Sequence, residues 1–171
     1  TDQAARAARE GAQSLRRLGS SAGFEAMVLA NAAMALISGG RWDEAEDVVD
    51  QGLDRRPGAV AESWLRGQRG RLAVLRGDPD AGRVELLAAL DLAVSEGDTM
   101  NASLLHGDLA VCEMAQTRLE PARRHVDAAL ATTAGQLDVQ LAVCQIGLAV
   151  EARAHTLAVA EWQERGRRIH A

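Results

Sequence analysis

The sequence has no lysine and no tyrosine, and among its 171 residues only one phenylalanine, three tryptophans, three prolines and two cysteines. Each shortage excludes something. Without lysine there is no phosphate loop of the G-x-x-x-x-G-K-[ST] form, because nothing carries the ammonium that reaches the terminal phosphates. Two cysteines, Cys112 and Cys144, are too few to staple a secreted domain and read as buried reduced thiols, so a cytoplasmic setting is expected. No apolar run reaches the roughly 18 residues of a membrane helix without a charge or a breaker. The basic residues are all arginine and the net charge is −5, which gives no broad positive surface for phosphate neutralisation, so this segment is not expected to touch nucleic acid.

Catalytic and metal-binding patterns are missing as well. No Ser, Thr or Cys stands in a nucleophile motif and no glycine-rich loop follows a strand pattern, so no enzyme activity and no cofactor are expected. His106, His125, His155 and His170 are dispersed, without the i, i+4 spacing of a zinc helix, and no metal site is expected. Six acids, Asp43, Glu44, Glu46, Asp47, Asp50 and Asp54, crowd one helical stretch. They read as an exposed face and a dipole-favoured first turn, not as convergent cation ligands. Arg66, Arg69, Arg71 and Arg76 follow in the next stretch and can pair with them.

What is present is a large apolar fraction, 47%, supplied mostly by Ala, Leu, Val and Met. Slender side chains of this kind favour close-packed helices. A chain of this length buries about 70% of its unfolded surface, enough for a core. Self-similarity then sets the organisation. Gly40-Arg-Trp-Asp-Glu-Ala45, Gly77-Asp-Pro-Asp-Ala-Gly82 and Thr117-Arg-Leu-Glu-Pro-Ala122 are each a turn ending on a small residue. Each is followed by apolar or small residues four, seven and eight positions on, which is one face of a helix. The small residues Ala45, Gly82 and Ala122 are 37 and 40 positions apart, and they allow a second helix to approach closely. Upstream of each turn lies another helical pattern, at Phe24–Ser38, Ala61–Arg76 and Met100–Gln116. Asp78 before Pro79 reads as an N-cap with proline at the first helical position, and Gly97-Asp98 as a stop followed by a cap.

The whole of 1–171 therefore reads as one all-α domain of helix pairs. It has a partial repeat over 1–19, pairs over 22–57, 59–96 and 98–134, and one or two helices over 136–169. The start at Thr1, in an Ala/Arg-rich helical run without a signal-peptide pattern, suggests a piece of a longer protein.

Gly40, Trp42, Ala45, Val49, Gly52, Leu53 and Pro57 stand at the spacing of the tetratricopeptide (TPR) signature, so the first full repeat resembles that family. Gly82 in place of alanine and Thr117 in place of the turn glycine depart from it. The resemblance implies a TPR-like α-solenoid of antiparallel helix pairs wound as a right-handed superhelix. The Arg-only, Ala-rich style and the phrase Gly-Arg-Trp-Asp-Glu-Ala also resemble the central helical repeats of large ATP-dependent LuxR-family transcriptional regulators. That resemblance implies a non-catalytic domain that senses an effector or partner and biases neighbouring domains. The alternative is a free-standing TPR-like adaptor that docks a partner helix or peptide.

In the TPR register the inner surface falls on Met27, Ala30, Met34 and Ile37, on Trp64, Gly67, Arg71 and Val74, and on Leu104, Gly107, Val111 and Met114. The candidate groove residues are thus Met27, Met34, Ile37, Trp64, Arg71, Val74, Leu104, Val111 and Met114. Adaptable Met side chains and a stacking Trp64 suit a small apolar effector or a protein partner, with Arg71 as the one polar hook and the glycines leaving room. The competing reading is that these residues pack on neighbouring helices. Self-association is left open.

Overall fold

The computed structural model describes residues 2–132 and 137–153, and the regular structure among them is entirely helical. The helices are α1 (Asp2–Arg17), α2 (Ala22–Ser38), α3 (Trp42–Leu53), α4 (Ala59–Leu75), α5 (Pro79–Ser95), α6 (Thr99–Ala115), α7 (Leu119–Thr132) and α8 (Leu137–Arg153). The boundaries expected from the glycine, aspartate and proline punctuation agree with these to within a residue or two. The expected helix or helices over 136–169 correspond to α8 up to Arg153, and the remainder lies outside the described residues. Helices α1–α5 form one compact unit ending at Gly97, and a second begins at Asp98 with α6–α8.

Helix ends follow from local chemistry. Ser21 caps α2 by accepting from the Phe24 amide, Asp78 caps α5 by accepting from Ala81 with Pro79 next in line, and Asp98 caps α6 by accepting from Asn101. Each supplies an acceptor for an otherwise orphaned N–H. At the other ends, in the connections from α1 through α7, the backbone turns left-handed at Gly19, Gly40, Arg56, Gly77, Gly97 and Thr117. The amides of Ser20, Arg41, Asp78 and Arg118, each just past such a residue, donate back to the carbonyls of Leu15, Leu36, Ala73 and Glu113. That bond stops the helix and satisfies a terminal carbonyl.

In the first unit each helix packs on the next, and α2 also packs on α4. Its core gathers Ala26, Leu29, Ala33 and Leu36 of α2, Ala45 and Val49 of α3, and Leu65 and Leu72 of α4. Small residues set the closeness of the α4–α5 crossing. A Cβ on Gly70 would lie 2.9 Å from the carbonyl oxygen of Gly82, and one on Gly82 would lie 2.5 Å from Val74 Cγ2. In the second unit α6, α7 and α8 pack mutually around Ala110, Ala122, Val126, Ala129, Val143 and Val150.

The 40-residue period is visible in the bonds themselves. Ser63 Oγ donates to the Ala89 carbonyl at 2.7 Å, and forty residues on Ser103 Oγ donates to the Ala129 carbonyl at 3.1 Å. Both serines are fully buried, so each hydroxyl ties the first helix of a pair to the second where water cannot compete.

Candidate functional site

The first unit has an open pocket of about 440 Å³ at the N-terminal ends of α2 and α4. Its walls are Phe24 and Met27 on α2, Gly58 to Ala61 at the head of α4, and Ser21 and Glu96 at the polar edge. The local sequence explains the opening. Gly58 is the N-cap of α4 and contributes no side chain, so nothing fills the space between the two helix heads. Phe24, the only phenylalanine, sits within the first turn of α2 and remains 57% exposed, with Val60 also exposed. A large apolar ring left half in water beside an apolar hollow is the arrangement that gains most from a ligand covering it.

The candidate groove residues are distributed differently from one another. Met27 lines the pocket while packing on the core of the first unit, and Trp64 packs on that core with part of its surface exposed. Met34 is exposed, whereas Ile37 is 7% exposed and belongs to the core. Arg71 is half-buried. Val74 holds its Cγ2 over Gly82 and so faces α5. In the second unit Leu104 and Met114 pack on the core there, and Val111 is exposed. Gly107, expected to leave room beside a ligand, leaves room for Ile146 of α8, whose Cδ1 would be 3.3 Å from a Cβ at that position. Phe24 and Val60 were not singled out by the repeat register. The signal that could have found them is local: a lone phenylalanine one turn from Met27, opposite a helix start that carries glycine in place of a capping side chain.

Charge is arranged as ladders across helices. Arg76 bonds Asp43 at 2.6 Å and also pairs with Glu46, and Arg69 bonds Asp50 at 2.5 Å. The acids of α3 thus meet the arginines of α4, as their adjacency in sequence led one to expect. Arg66 bridges Glu62 at 2.7 Å and Glu85 of α5 at 2.9 Å, and the bond to Glu62, then Glu85, raises its pKa against the opposing effect of burial. In the second unit Glu113 and Glu151 are buried. The first is held by Arg118 and the second by both Nε and Nη2 of Arg123, which also pairs with Glu120. Among the described residues no three His, Cys, Asp or Glu side chains gather where a metal ion could be held, and no described helix is long and apolar enough to cross a membrane. Cys112 and Cys144 are buried free thiols.

Two histidines do meet. His106 Nδ1 of α6 lies 3.0 Å from His125 Nδ1 of α7. Burial, followed by the proximity of His125, lowers the pKa of His106 below 6.5. Reading the histidines as dispersed missed this pair, because residues far apart in sequence reveal nothing by spacing alone. The 40-residue shift would have found it: it places His106 and His125 on the positions of Arg66 and Glu85, which are also paired.

No family model matches this sequence, and no curated protein matches it. Among solved structures it is similar to the crystal structure of BtubC (BKLC) from P. vanneervenii, at 16% sequence identity over 98% of this chain and 72% of that one, with a TM-score of 0.74. At that identity the likeness is one of fold: the arrangement of helices is shared while most side chains differ.

Proposed function

We propose that this chain is a non-catalytic binding module, built as a TPR-like α-solenoid of antiparallel helix pairs in a right-handed superhelix. Its ligand is a small apolar effector or an apolar segment of a protein partner. The observation that carries the reading is the pocket between the heads of α2 and α4, with its apolar walls and half-exposed Phe24. A ligand seated there touches two helices at once, so binding favours one relative placement of α2 and α4 over others and can bias whatever is attached to them. The sequence style, arginine without lysine and the Gly-Arg-Trp-Asp-Glu-Ala45 turn, supports a LuxR-family regulator as the parent protein, and the buried free thiols support a cytoplasmic setting.

An adaptor that docks a partner helix is the second reading. Met34 on α2, exposed and flexible, favours it, since such a side chain adapts to varied apolar surfaces.

Binding is testable without knowing the ligand. A panel of small aromatic and aliphatic compounds is screened by thermal shift against the wild type and Phe24→Ala. A true occupant stabilises the wild type by about 2.7 kcal/mol at a hundred times its dissociation constant and loses most of that effect in the variant. If every compound that stabilises the wild type stabilises Phe24→Ala equally, the pocket is not the site. The parent reading frame separates regulator from adaptor. A phosphate loop upstream and a helix-turn-helix downstream belong to the regulator, and finding neither removes that reading.

A further inference from the structure

The pocket at the heads of α2 and α4 carries one charge. Of the side chains that line it, Glu96 alone is ionisable. Glu96 is the C-cap of α5 and is exposed, and among the described residues its carboxylate has neither an ion-pair nor a hydrogen-bond partner. The acids in the first turns of α2 and α4 are occupied: Glu25 lies 3.8 Å from Arg55, and Glu62 is held by Arg66 at 2.7 Å. Arg56, two residues before Gly58, does not line the pocket. An apolar hollow with a single unmatched negative charge at its edge distinguishes between ligands by their charge.

A ligand that covers this hollow takes Glu96 partly out of water. If the ligand surface beside it is apolar, the carboxylate loses hydration and gains nothing in return. If that surface carries an anion, like charges face each other. An ammonium group exchanges the lost water for a charge-assisted hydrogen bond. The helix ends do not reverse this order. The α4 head has no side-chain cap at Gly58 and presents about half a positive charge, while the end of α5 that Glu96 caps presents about half a negative one. These partial charges oppose each other, and the full charge of Glu96 decides the sign.

The rest of the pocket fits the body of such a ligand. Phe24, Met27 and Val60 supply apolar contact, and an aromatic ring also attracts a cation that passes over its face. A volume of about 440 Å³ falls within the range of small-molecule sites, so one compact ligand can touch both the ring and the carboxylate. We infer that the pocket takes a small organic cation, an amine or quaternary ammonium on an aromatic or aliphatic body, with Glu96 as its counter-ion and Phe24 as its apolar wall. This rests on the reading of the pocket as the binding site. The charge selectivity is modest and salt-sensitive, because an exposed carboxylate is screened by water and ions.

The test compares three compounds that share a phenyl ring and a two-carbon spacer and differ in charge: phenethylamine, phenethyl alcohol and hydrocinnamate. Each is titrated into the whole chain at neutral pH, as wild type, Glu96→Gln and Phe24→Ala, with dissociation constants taken from amide shifts. The wild type is expected to bind the amine about three- to tenfold more tightly than the alcohol and the carboxylate least of all. That ratio should shrink in about 0.5 M salt and fall to about one in Glu96→Gln, whose thermal midpoint should match the wild type because the side chain it alters has no partner to lose. Phe24→Ala should weaken the amine and the alcohol alike. Equal binding of amine and alcohol by the wild type, tightest binding of the carboxylate, or a preference that survives Glu96→Gln would overturn the cation, and the pocket would stand if Phe24→Ala still weakened binding. Absence of binding by all three compounds, or affinities unchanged in Phe24→Ala, would remove the pocket as the site and this inference with it.

Discussion

Thr117 has φ of +59° at the turn between α6 and α7. Its counterpart forty residues earlier, Gly77, has φ of +88°, so the connection demands a left-handed residue whatever the side chain. A branched Cβ there costs about 1–2 kcal/mol, partly offset because glycine loses about 0.5–1 kcal/mol more on folding. Thr117→Gly is therefore expected to stabilise the protein by about 0.5–1 kcal/mol, read as a higher urea midpoint at unchanged slope; a lower midpoint would mean that the Thr117 hydroxyl, 2.6 Å from the Gln116 carbonyl, contributes more than the strain takes away. Arg123 shows the opposite dependence. Its guanidinium grips both carboxylate oxygens of Glu151, which is 3% exposed. Arg123→Met would strand that charge. Removing one member of a fully buried pair costs about 3–5 kcal/mol, and with the Arg123 side chain still 27% exposed a loss of about 2 kcal/mol is expected. Restoration by Glu151→Leu in the same chain would identify the stranded carboxylate as the cause.

Between elements, the α4–α5 crossing depends on what is missing. Gly82 stands where the neighbouring pairs have Ala45 and Ala122, and alanine is the better helix former by about 1 kcal/mol. Propensity loses here. A Cβ on Gly82 would lie 2.5 Å from Val74 Cγ2 and 2.9 Å from the Gly70 carbonyl oxygen; the second of these is backbone and cannot swing aside. Overpacking of this kind costs about 1–3 kcal/mol, so Gly82→Ala should lower the thermal midpoint although it restores the small-residue pattern of the other pairs. A rise would show that the two helices part without penalty.

This is also the scale at which the sequence is most and least legible. Helix ends are written locally: Asp78 and Asp98 cap, Pro79 starts, and the glycines stop, all within one turn of the chain. The acids of α3 and the arginines of α4 were matchable because adjacent elements of opposite charge have few other partners. The pocket was not legible, since it depends on what Gly58 does not fill. The histidine pair was hidden because its members sit 19 residues apart, and only the orientation of two helices makes them neighbours. Ile37 and Val74 fell on the expected groove register but face the core and α5, because a row of positions on a helix does not reveal how wide a stripe the neighbouring helices cover.

At the scale of the molecule, the all-helical architecture concentrates cohesion in two cores, one in each compact unit, while the exposed Phe24 and its pocket belong to the first. Ligand protection should therefore begin there. Hydrogen exchange with a bound apolar compound is expected to slow most at the amides following Ser21 and Gly58, the heads of α2 and α4; slowing confined to α6–α8 would move the site elsewhere.

The two buried serine bonds give this molecule a built-in control. Ser63→Ala and Ser103→Ala delete the same hydroxyl-to-carbonyl tie from equivalent positions in different units, each worth about 1 kcal/mol. Applied singly and together, they act as matched probes of cooperativity. A chain that unfolds in one step answers to both with a single, additive displacement of its transition, whereas one that unfolds in two steps moves a different step for each serine, so a pair of missing oxygens reports how far folding information travels along the chain.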